Sequence, residues 1–254
     1  VYCGRWPARN GCMFKGFILT TRKMQSEEPT QYLKAKTFVR FIELDKSYAG
    51  SSAGTAFLVR THPKDANSLE LLFVTCAHLG VRVGDTRQIQ LTNRIKASAR
   101  CVRVVPEFDL AFLVMEMPSD HAILRIGAMD TATITRSLST AQKVWVVGFP
   151  DHTKSTMKPS LSASSISAIE AGEGKAEQGK MAEFSNWQTD TFMLLDQTLA
   201  HGYSGSPVVN KSGEVVGVLC ASQENSVSWA LHGAFLGTAV RDCVNELRWN
   251  VVRL

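Results

Sequence analysis

The sequence predicts an all-β protein made of two antiparallel β-barrels, followed by a helix at the C-terminus. Short runs of β-branched and aromatic residues, separated by polar turns, continue from about residue 36 to residue 234, a pattern typical of barrels. The chain has 254 residues, 44% of them hydrophobic, which suits two small barrels sharing a cleft better than one core. Apolar residues then recur at helical spacing at Val240, Cys243, Val244, Leu247 and Val251.

The order of these patterns predicts the domain organisation. Residues 1–35 mix glycine, proline and charge without periodicity, so we expect an extension that packs on the domain or is partly disordered. Residues 36–44 form the first convincing strand, and a linker fits best at residues 117–140. A Gly-, Glu- and Lys-rich stretch at residues 171–182 predicts a surface loop. The expected segments are the extension at 1–35, a first barrel at 36–125, a second barrel at 126–236 and the helix at 237–254.

Small residues surround one serine in the heptad HGYSGSP at residues 201–207. Gly202 and Gly205 allow a tight turn with positive φ angles, which aims successive backbone N–H groups at one point. Ser204, inside that turn, could attack a carbonyl while the N–H groups hold the resulting oxyanion. An ordinary Gly/Ser hairpin turn before the next strand is the alternative interpretation.

Two apolar strands each carry one residue that such a serine requires. Residues 71–78 end in His78, and histidine is the residue type that most often serves as a general base, although a histidine that closes a strand often has a structural role. Residues 107–114 include Asp109 at the start of an apolar run, and a carboxylate so close to a core needs a partner. An imidazole N–H would satisfy it. The other aspartates considered, Asp85, Asp120 and Asp130, stand in polar surroundings.

Three motifs, TCAH at residues 75–78, DLAFL at 109–113 and GYSGSP at 202–207, follow one another in the order His, Asp, Ser. In this order they resemble the trypsin-like serine peptidases of the chymotrypsin fold, in particular the HtrA-type and viral branches. The resemblance covers about residues 36–250 and implies two six-stranded barrels closed by a C-terminal helix. Further similar segments lie at residues 54–59, 146–150, 162–169 and 212–218.

The resemblance implies a serine endopeptidase with Ser204 as nucleophile, His78 as general base and Asp109 as the residue that orients the imidazole. It also implies an oxyanion hole formed by the backbone N–H groups of Gly202 and Ser204. Ser206 is the rival nucleophile, but a proline follows it and no Gly-x pair precedes it.

Tyr203 stands where digestive relatives carry an aspartate that pairs with a freshly cut N-terminus. Activation by insertion of a new N-terminus is therefore not expected here. The loop before Ser204 must be ordered in another way.

The resemblance also implies a specificity pocket with Thr198 at its base. Thr198 is not acidic, which disfavours cleavage after Lys or Arg and favours a small or medium uncharged side chain. His201 or His232 could instead favour Glu or Gln by hydrogen bonding, although each also fits a rim or packed position. The expected pocket residues are Thr198, Leu199, Ala200, His201, Cys220, Ala221, Ser222 and His232.

Two other functions share this framework. A viral polyprotein-processing protease would use the same chemistry mainly on its own flanking sites. A catalytically inactive trypsin-like scaffold would bind peptide or RNA instead, but all three catalytic residue types and the flanking glycines are present.

The net charge of +5 raises the question of a polyanionic partner. Arg94, Lys96 and Arg100 alternate with apolar residues, so they are expected to line one outer face of a strand. A solvated barrel face explains this pattern, and weak binding of RNA or another polyanion is the alternative, as a secondary activity. Protein or peptide substrate is the main expected partner.

The six cysteines show no CxxC pairing, which argues against a structural zinc site, and no metal or cofactor is expected. Several lie in apolar strands, where a free thiol behaves as a small hydrophobe and favours a reducing, cytoplasmic compartment. A disulfide between Cys3 and Cys12 remains an alternative. No apolar run approaches the roughly 18 residues of a membrane helix, so we expect a soluble protein.

Overall fold

The computed structural model describes residues 29–43, 53–121, 129–150, 158–170, 192–222 and 227–249. Within these residues, twelve strands form two closed antiparallel barrels of six strands each, one after the other along the chain. A helix follows the second barrel. The predicted all-β class, with two six-stranded barrels and a C-terminal helix, is confirmed.

The first barrel closes in the strand order β1-β2-β3-β6-β5-β4. Its longest pairing joins β3 to β6, from Ser68 opposite Pro118 to Cys76 opposite Leu110. The strands are β1 (Val39–Glu43), β2 (Ala53–Pro63), β3 (Ser68–Cys76), β4 (Thr86–Gln90), β5 (Lys96–Val105) and β6 (Leu110–Pro118).

The second barrel closes in the order β10-β11-β12-β9-β8-β7, so the two barrels repeat one topology. The C-terminal helix, called α2 here, covers Gly233–Glu246, and a short helix, α1 (Thr30–Ala35), precedes β1. The strands are β7 (Lys143–Gly148), β8 (Ser160–Glu170), β9 (Phe192–Leu195), β10 (Pro207–Val209), β11 (Val215–Ser222) and β12 (Ser228–His232).

Strand β5 illustrates how the residue pattern fixes a face. Ala99 and Cys101 are buried, while the alternate positions Lys96, Ser98 and Arg100 are exposed. Successive side chains of a strand point to opposite faces, so the polar positions line the outside of the barrel and the small apolar ones fill its core.

The helix α2 ties the barrels together from outside. Phe235 packs against Phe108 of the first barrel with ring centroids 5.5 Å apart, and Glu246 pairs with Arg103 at 3.0 Å. The helix begins at Gly233, four residues before the expected start, because the ring of His232 accepts a hydrogen bond from the N–H of Ala234. That bond satisfies one of the free N–H groups at the helix start.

The end of the expected N-terminal extension is helical. The helix α1 lies in the segment expected as an irregular extension, and its Tyr32 hydroxyl donates to the carbonyl oxygen of Pro159 at 2.8 Å. Most of the extension, the loop at 171–182 and the pair Cys3 and Cys12 lie outside the described residues. In the described part, Cys76, Cys101, Cys220 and Cys243 are free thiols, and no helix there is long and apolar enough to span a membrane.

Candidate active site

His78 and Asp109 lie at neighbouring strand ends. Strand β3 ends at Cys76, directly opposite Leu110 at the start of β6. One short helical turn after β3 carries His78, and Asp109 immediately precedes β6. The register of two antiparallel strands therefore brings together two residues that are 31 positions apart in the sequence.

The Asp109 carboxylate holds His78 with two hydrogen bonds. Its Oδ2 lies 2.6 Å from the ring Nδ1 of His78, and its Oδ1 accepts the backbone N–H of the same residue at 2.8 Å. Asp109 is only 1% exposed and has a φ of 53°, a conformation that aspartate tolerates better than most residues. Because a buried carboxylate acts as an acceptor, this geometry favours a proton on Nδ1 and leaves Nε2 available as a base.

Ser204 lies in a tight turn between two glycines of positive φ, 93° at Gly202 and 82° at Gly205. Hydrogen bonds to strands on both sides hold the turn. The N–H of Thr55 donates to the carbonyl oxygen of Ser204 at 2.9 Å, and the N–H of Gly205 donates to that of Leu219, also at 2.9 Å. The Ser204 backbone is therefore fixed between β2 of the first barrel and β11 of the second.

Close packing at Gly205 brings this turn to the strand end that carries His78. A Cβ at Gly205 would lie 2.1 Å from the carbonyl oxygen of Thr55 and 2.6 Å from Oγ1 of Thr75. Ser204 itself is half-buried, and its hydroxyl makes no direct hydrogen bond to His78. The three residues that the sequence implies as nucleophile, base and acid thus lie where the two barrels meet, a region called the seam here. The hydrogen bond between His78 and Asp109 is already formed there.

Ser206 is in a different environment from Ser204. It is completely buried, and its Oγ has no hydrogen-bond partner among the described residues. A Cβ placed on Gly148 would lie 1.9 Å from that Oγ. A substrate carbonyl has no room to reach it.

Tyr203 anchors the loop before Ser204 in the core of the second barrel. The residue is 5% exposed and packs in the apolar cluster that includes Leu199 and Val208. Burial raises the pKa of its phenol, against the smaller opposing effect of a hydrogen bond with Ser160. Tyr203 therefore orders this loop through burial, which is a way other than insertion of a new N-terminus.

Two of the expected pocket residues, Leu199 and Ser222, are bonded to one buried hydroxyl that sequence reasoning missed. Ser228 Oγ donates to the carbonyl oxygen of Gln197 at 2.7 Å and accepts the N–H of Leu199 at 3.1 Å. It also lies 2.9 Å from Oγ of Ser222. Ser228 therefore ties the loop at 197–201 to β11. Thr198, Ala200 and His201 are exposed on that loop.

His232 is not among this group. It pairs with Gly217 at one end of β12, whereas Ser228 pairs with Ser222 at the other end. Its ring caps α2 and lies edge-on to the ring of Phe235, with the two ring centroids 6.4 Å apart. Burial lowers the pKa of this imidazole, which agrees with a neutral ring accepting a hydrogen bond. The expectation that His232 lines the pocket gains no support from this position.

Two threonines that sequence reasoning also missed form a run of hydrogen bonds beneath the site, and Thr55 carries it from the first barrel to the second. Thr55 Oγ1 donates to the carbonyl oxygen of Gly202 and accepts the N–H of Phe149, each at 3.0 Å. Thr75 Oγ1 donates to the carbonyl oxygen of Thr55 at 2.7 Å. Both side chains are fully buried. Their signal in the sequence was only a polar residue within an apolar strand.

Two buried thiols, one from each barrel, also lie at the seam. Cys76 Sγ, Cys220 Sγ and a carboxylate oxygen of Asp109 all lie within 4.8 Å of one another, and all three residues are buried. Burial, followed by the nearness of Cys220 and of Asp109, raises the pKa of the Cys76 thiol well above its usual range. The protonated thiol donates to the carbonyl oxygen of Leu219 at 3.2 Å. Their sequence surroundings predicted only core hydrophobes, and nothing in the sequence pairs these two cysteines.

With this geometry in hand, comparison with known proteins identifies the class. A family model for the trypsin-like peptidase domain matches residues 54–218. The chain therefore belongs to the trypsin-like peptidase domain family, as its motifs predicted.

Its relatives in this family include HtrA-type serine proteases at low identity. The chain is 26% identical over 181 residues to serine protease HTR4 of Rattus norvegicus and 24% identical over 160 residues to serine protease HTRA1A of Danio rerio. These alignments cover 71% and 63% of this chain but 32% and 30% of the relatives. The chain thus spans about a third of the length of the curated relatives it matches.

Solved structures give the same fold. The HtrA-type protease AlgW with tripeptide superposes with a TM-score of 0.61 at 17% identity, covering 87% of this chain and 64% of that chain. The serine endoprotease from Yersinia pestis gives a TM-score of 0.58 at 17% identity, covering 85% of this chain and 66% of that chain. At such identities the likeness concerns the fold alone.

Proposed function

We propose that this chain is a serine endopeptidase that hydrolyses peptide bonds through an acyl-enzyme intermediate. The observation that carries the proposal is the pair of hydrogen bonds between the buried Asp109 carboxylate and His78, at 2.6 and 2.8 Å, beside the Ser204 turn. A carboxylate buried behind an imidazole, with a serine in a glycine-framed turn nearby, is the arrangement that activates a hydroxyl nucleophile.

The steps follow from these positions. Ser204 Oγ attacks the carbonyl carbon of the scissile bond while Nε2 of His78 removes the hydroxyl proton. Asp109 keeps the other ring proton on Nδ1 and stabilises the imidazolium. His78 then gives the proton to the leaving amine, and the acyl group stays on Ser204. A water molecule, activated by the same nitrogen, releases the second product and restores the serine. The missing Ser204–His78 hydrogen bond is compatible with this role, since catalytic bonds often tighten only when substrate binds.

The backbone N–H groups of Gly202 and Ser204 form the oxyanion hole in this proposal. The positive φ of Gly202 supports this, because such a turn points successive N–H groups in similar directions. Neither N–H donates to another backbone group in the described part of the chain, so both are available to a substrate oxyanion. Donors fixed in advance act where negative charge develops in the transition state.

Substrate preference in this proposal is for a small or medium uncharged side chain. In this proposal Thr198 takes the base position; it is exposed on the loop at 197–201, which Ser228 ties to Ser222 of β11. None of the expected pocket residues is acidic, so a Lys or Arg side chain held by them would lose its hydration without gaining a carboxylate. His201, exposed on the loop, is the residue that would hydrogen-bond a Glu or Gln side chain instead.

The basic outer face of β5 supports weak binding of RNA or another polyanion as a secondary activity. Lys96 and Arg100 are exposed on β5, whereas Arg94, expected on the same strand, is exposed in the turn before it. Lys96, however, forms an ion pair with Glu43, which reduces the free charge of this face. Binding to single-stranded RNA that falls steeply with added salt, and falls further in Arg94→Ala and Arg100→Ala, is the expected behaviour.

A fluorophosphonate probe tests the main proposal, because it reacts only with an activated serine. We expect labelling at Ser204, loss of labelling in Ser204→Ala, and full labelling in the matched control Ser206→Ala. The control removes a buried hydroxyl without a partner, so its fold should persist. Labelling that persists in Ser204→Ala would refute Ser204 as the nucleophile. A protein that is labelled but cleaves no peptide in a broad substrate library would refute peptide hydrolysis as its activity.

A further inference from the structure

We propose that Cys76, Cys220 and Asp109 form a binding site for a thiophilic divalent cation, such as Zn²⁺ or Cd²⁺, and that its occupation inhibits the peptidase. The cation site rests on the geometry of these three residues. The inhibitory effect rests in addition on the proposed function.

Three separate elements supply the ligands. Cys76 ends β3, Asp109 precedes β6 and Cys220 lies in β11, so both barrels contribute. The two sulfur atoms and a carboxylate oxygen lie within 4.8 Å of one another. With metal–sulfur bonds of about 2.3 Å and metal–oxygen bonds of about 2.1 Å, ligands of a tetrahedral zinc ion are roughly 3.5–3.8 Å apart. Small side-chain movements would therefore bring all three onto one ion.

The donor types select the class of cation. Two thiolates and a carboxylate suit Zn²⁺ or Cd²⁺, whereas Mg²⁺ and Ca²⁺ prefer oxygen ligands alone. On binding, each thiol loses its proton to solvent and forms one metal–sulfur bond, so one cation enters and two protons leave. The bonds given up are weak sulfur contacts to the carbonyl oxygens of Leu219 and Val218, at 3.2 and 3.4 Å.

Occupation of this site would compete directly with the catalytic pair. Both carboxylate oxygens of Asp109 already hold His78: Oδ2 lies 2.6 Å from Nδ1, and Oδ1 accepts the backbone N–H at 2.8 Å. A cation on either oxygen would therefore compete with one of these two bonds and draw negative charge away from the imidazole. The three ligand residues are buried, whereas the side chain of His78 is 32% exposed. Entry past His78 should therefore make inhibition slow to develop.

Binding is best measured in the full chain carrying Ser204→Ala, so that no peptidase activity is needed for the readout. The substitutions Cys3→Ala and Cys12→Ala are added, so that the signal comes from the remaining four thiols. Titration with Cd²⁺ alone should give one equivalent of thiolate-to-cadmium absorption in the ultraviolet. The cadmium NMR shift should indicate two thiolate ligands, and this measurement needs no substitution within the site.

Substitutions then locate the site. Cys220→Ala should weaken Cd²⁺ binding at least about 100-fold, an effect expected for loss of a direct ligand. The matched controls Cys101→Ala and Cys243→Ala, which remove buried thiols elsewhere, should leave binding unchanged. A cadmium shift without thiolate ligands, or equal affinity in Cys220→Ala and the controls, would overturn the site.

The inhibitory effect is tested separately with the active chain. Zn²⁺ should abolish fluorophosphonate labelling of Ser204 slowly, a chelator should restore it, and equimolar Mg²⁺ should have no effect. Undiminished labelling in a zinc-saturated chain would refute the inhibition while leaving the site in place. A metal-free chain that never labels would instead refute the proposed peptidase function.

Discussion

The hydroxyl of Thr55, in the first barrel, donates a 3.0 Å hydrogen bond to the carbonyl oxygen of Gly202, in the second. The same hydroxyl accepts the N–H of Phe149 at 3.0 Å. One buried side chain thus fixes the turn that presents Ser204 and the first strand of the second barrel. The position of Ser204 relative to His78 therefore depends on a polar contact between barrels as well as on apolar packing.

Replacing Thr55 by valine should loosen this connection without changing the volume of the side chain. Two buried backbone groups would lose their partner, so the free energy of unfolding should fall by about 1–3 kcal/mol. Turnover should fall by up to about 100-fold with a smaller change in KM, because the nucleophile is displaced. Chemical denaturation and peptide hydrolysis measure the two effects. Thr61→Val, at an exposed position of the same strand, is the matched control. Equal stability and turnover in both variants would show that the contact is unimportant.

Asp109→Asn should preserve the fold and remove most of the activity. Asparagine tolerates the positive φ at this position, 53°, and its oxygen can still accept the His78 backbone N–H. Its NH₂ group then faces Nδ1, which favours the ring tautomer that carries its proton on Nε2. That tautomer cannot remove a proton from Ser204, so turnover should fall about 10³–10⁴-fold.

Circular dichroism and the denaturation midpoint serve as the structural controls for Asp109→Asn. Both should remain close to those of the wild-type chain. Undiminished hydrolysis in a folded variant would mean that a different acid orients His78.

Gly205→Ala tests how tightly the Ser204 turn packs against the first barrel. The φ of 82° disfavours alanine, and the new Cβ would lie 2.1 Å from the carbonyl oxygen of Thr55. We expect a loss of more than about 2 kcal/mol in the free energy of unfolding, from backbone strain and overpacking together.

Gly84→Ala separates the two contributions to the effect at Gly205. Gly84 has a similar φ of 92°, and a Cβ there meets nothing within 4 Å. The control should therefore show the conformational cost alone. If denaturation gives equal losses for the two variants, the close approach of the turn to Thr55 is not tight.

The sequence was informative wherever a local pattern decides the structure. Alternation along β5 predicted a half-buried strand, and the short continuous apolar runs before His78 and after Asp109 predicted buried strands. Contacts across the seam follow from no local pattern. Cys76 and Cys220 are 144 positions apart, and each taken alone is an ordinary core cysteine. Ser228 likewise had no sequence signal beyond opening an apolar strand, since its three partners come from two other segments.

His232 should make the stability of the protein depend on pH. Burial lowers the pKa of its ring in the folded state from the ordinary value of 6.5, and the neutral ring caps α2 through the N–H of Ala234. The folded state therefore binds fewer protons than the unfolded state between the lowered pKa and 6.5. The contribution of the neutral His232 cap to the free energy of unfolding is complete above pH 6.5 and is lost as the pH falls through the lowered pKa.

The substitution His232→Asn tests this dependence. In this variant a neutral cap remains at all pH values, so stability above pH 6.5 should change little. Its decline on acidification should be shallower than in the wild-type chain. Denaturation curves across this range measure both slopes, and identical slopes would show that His232 is not the group responsible.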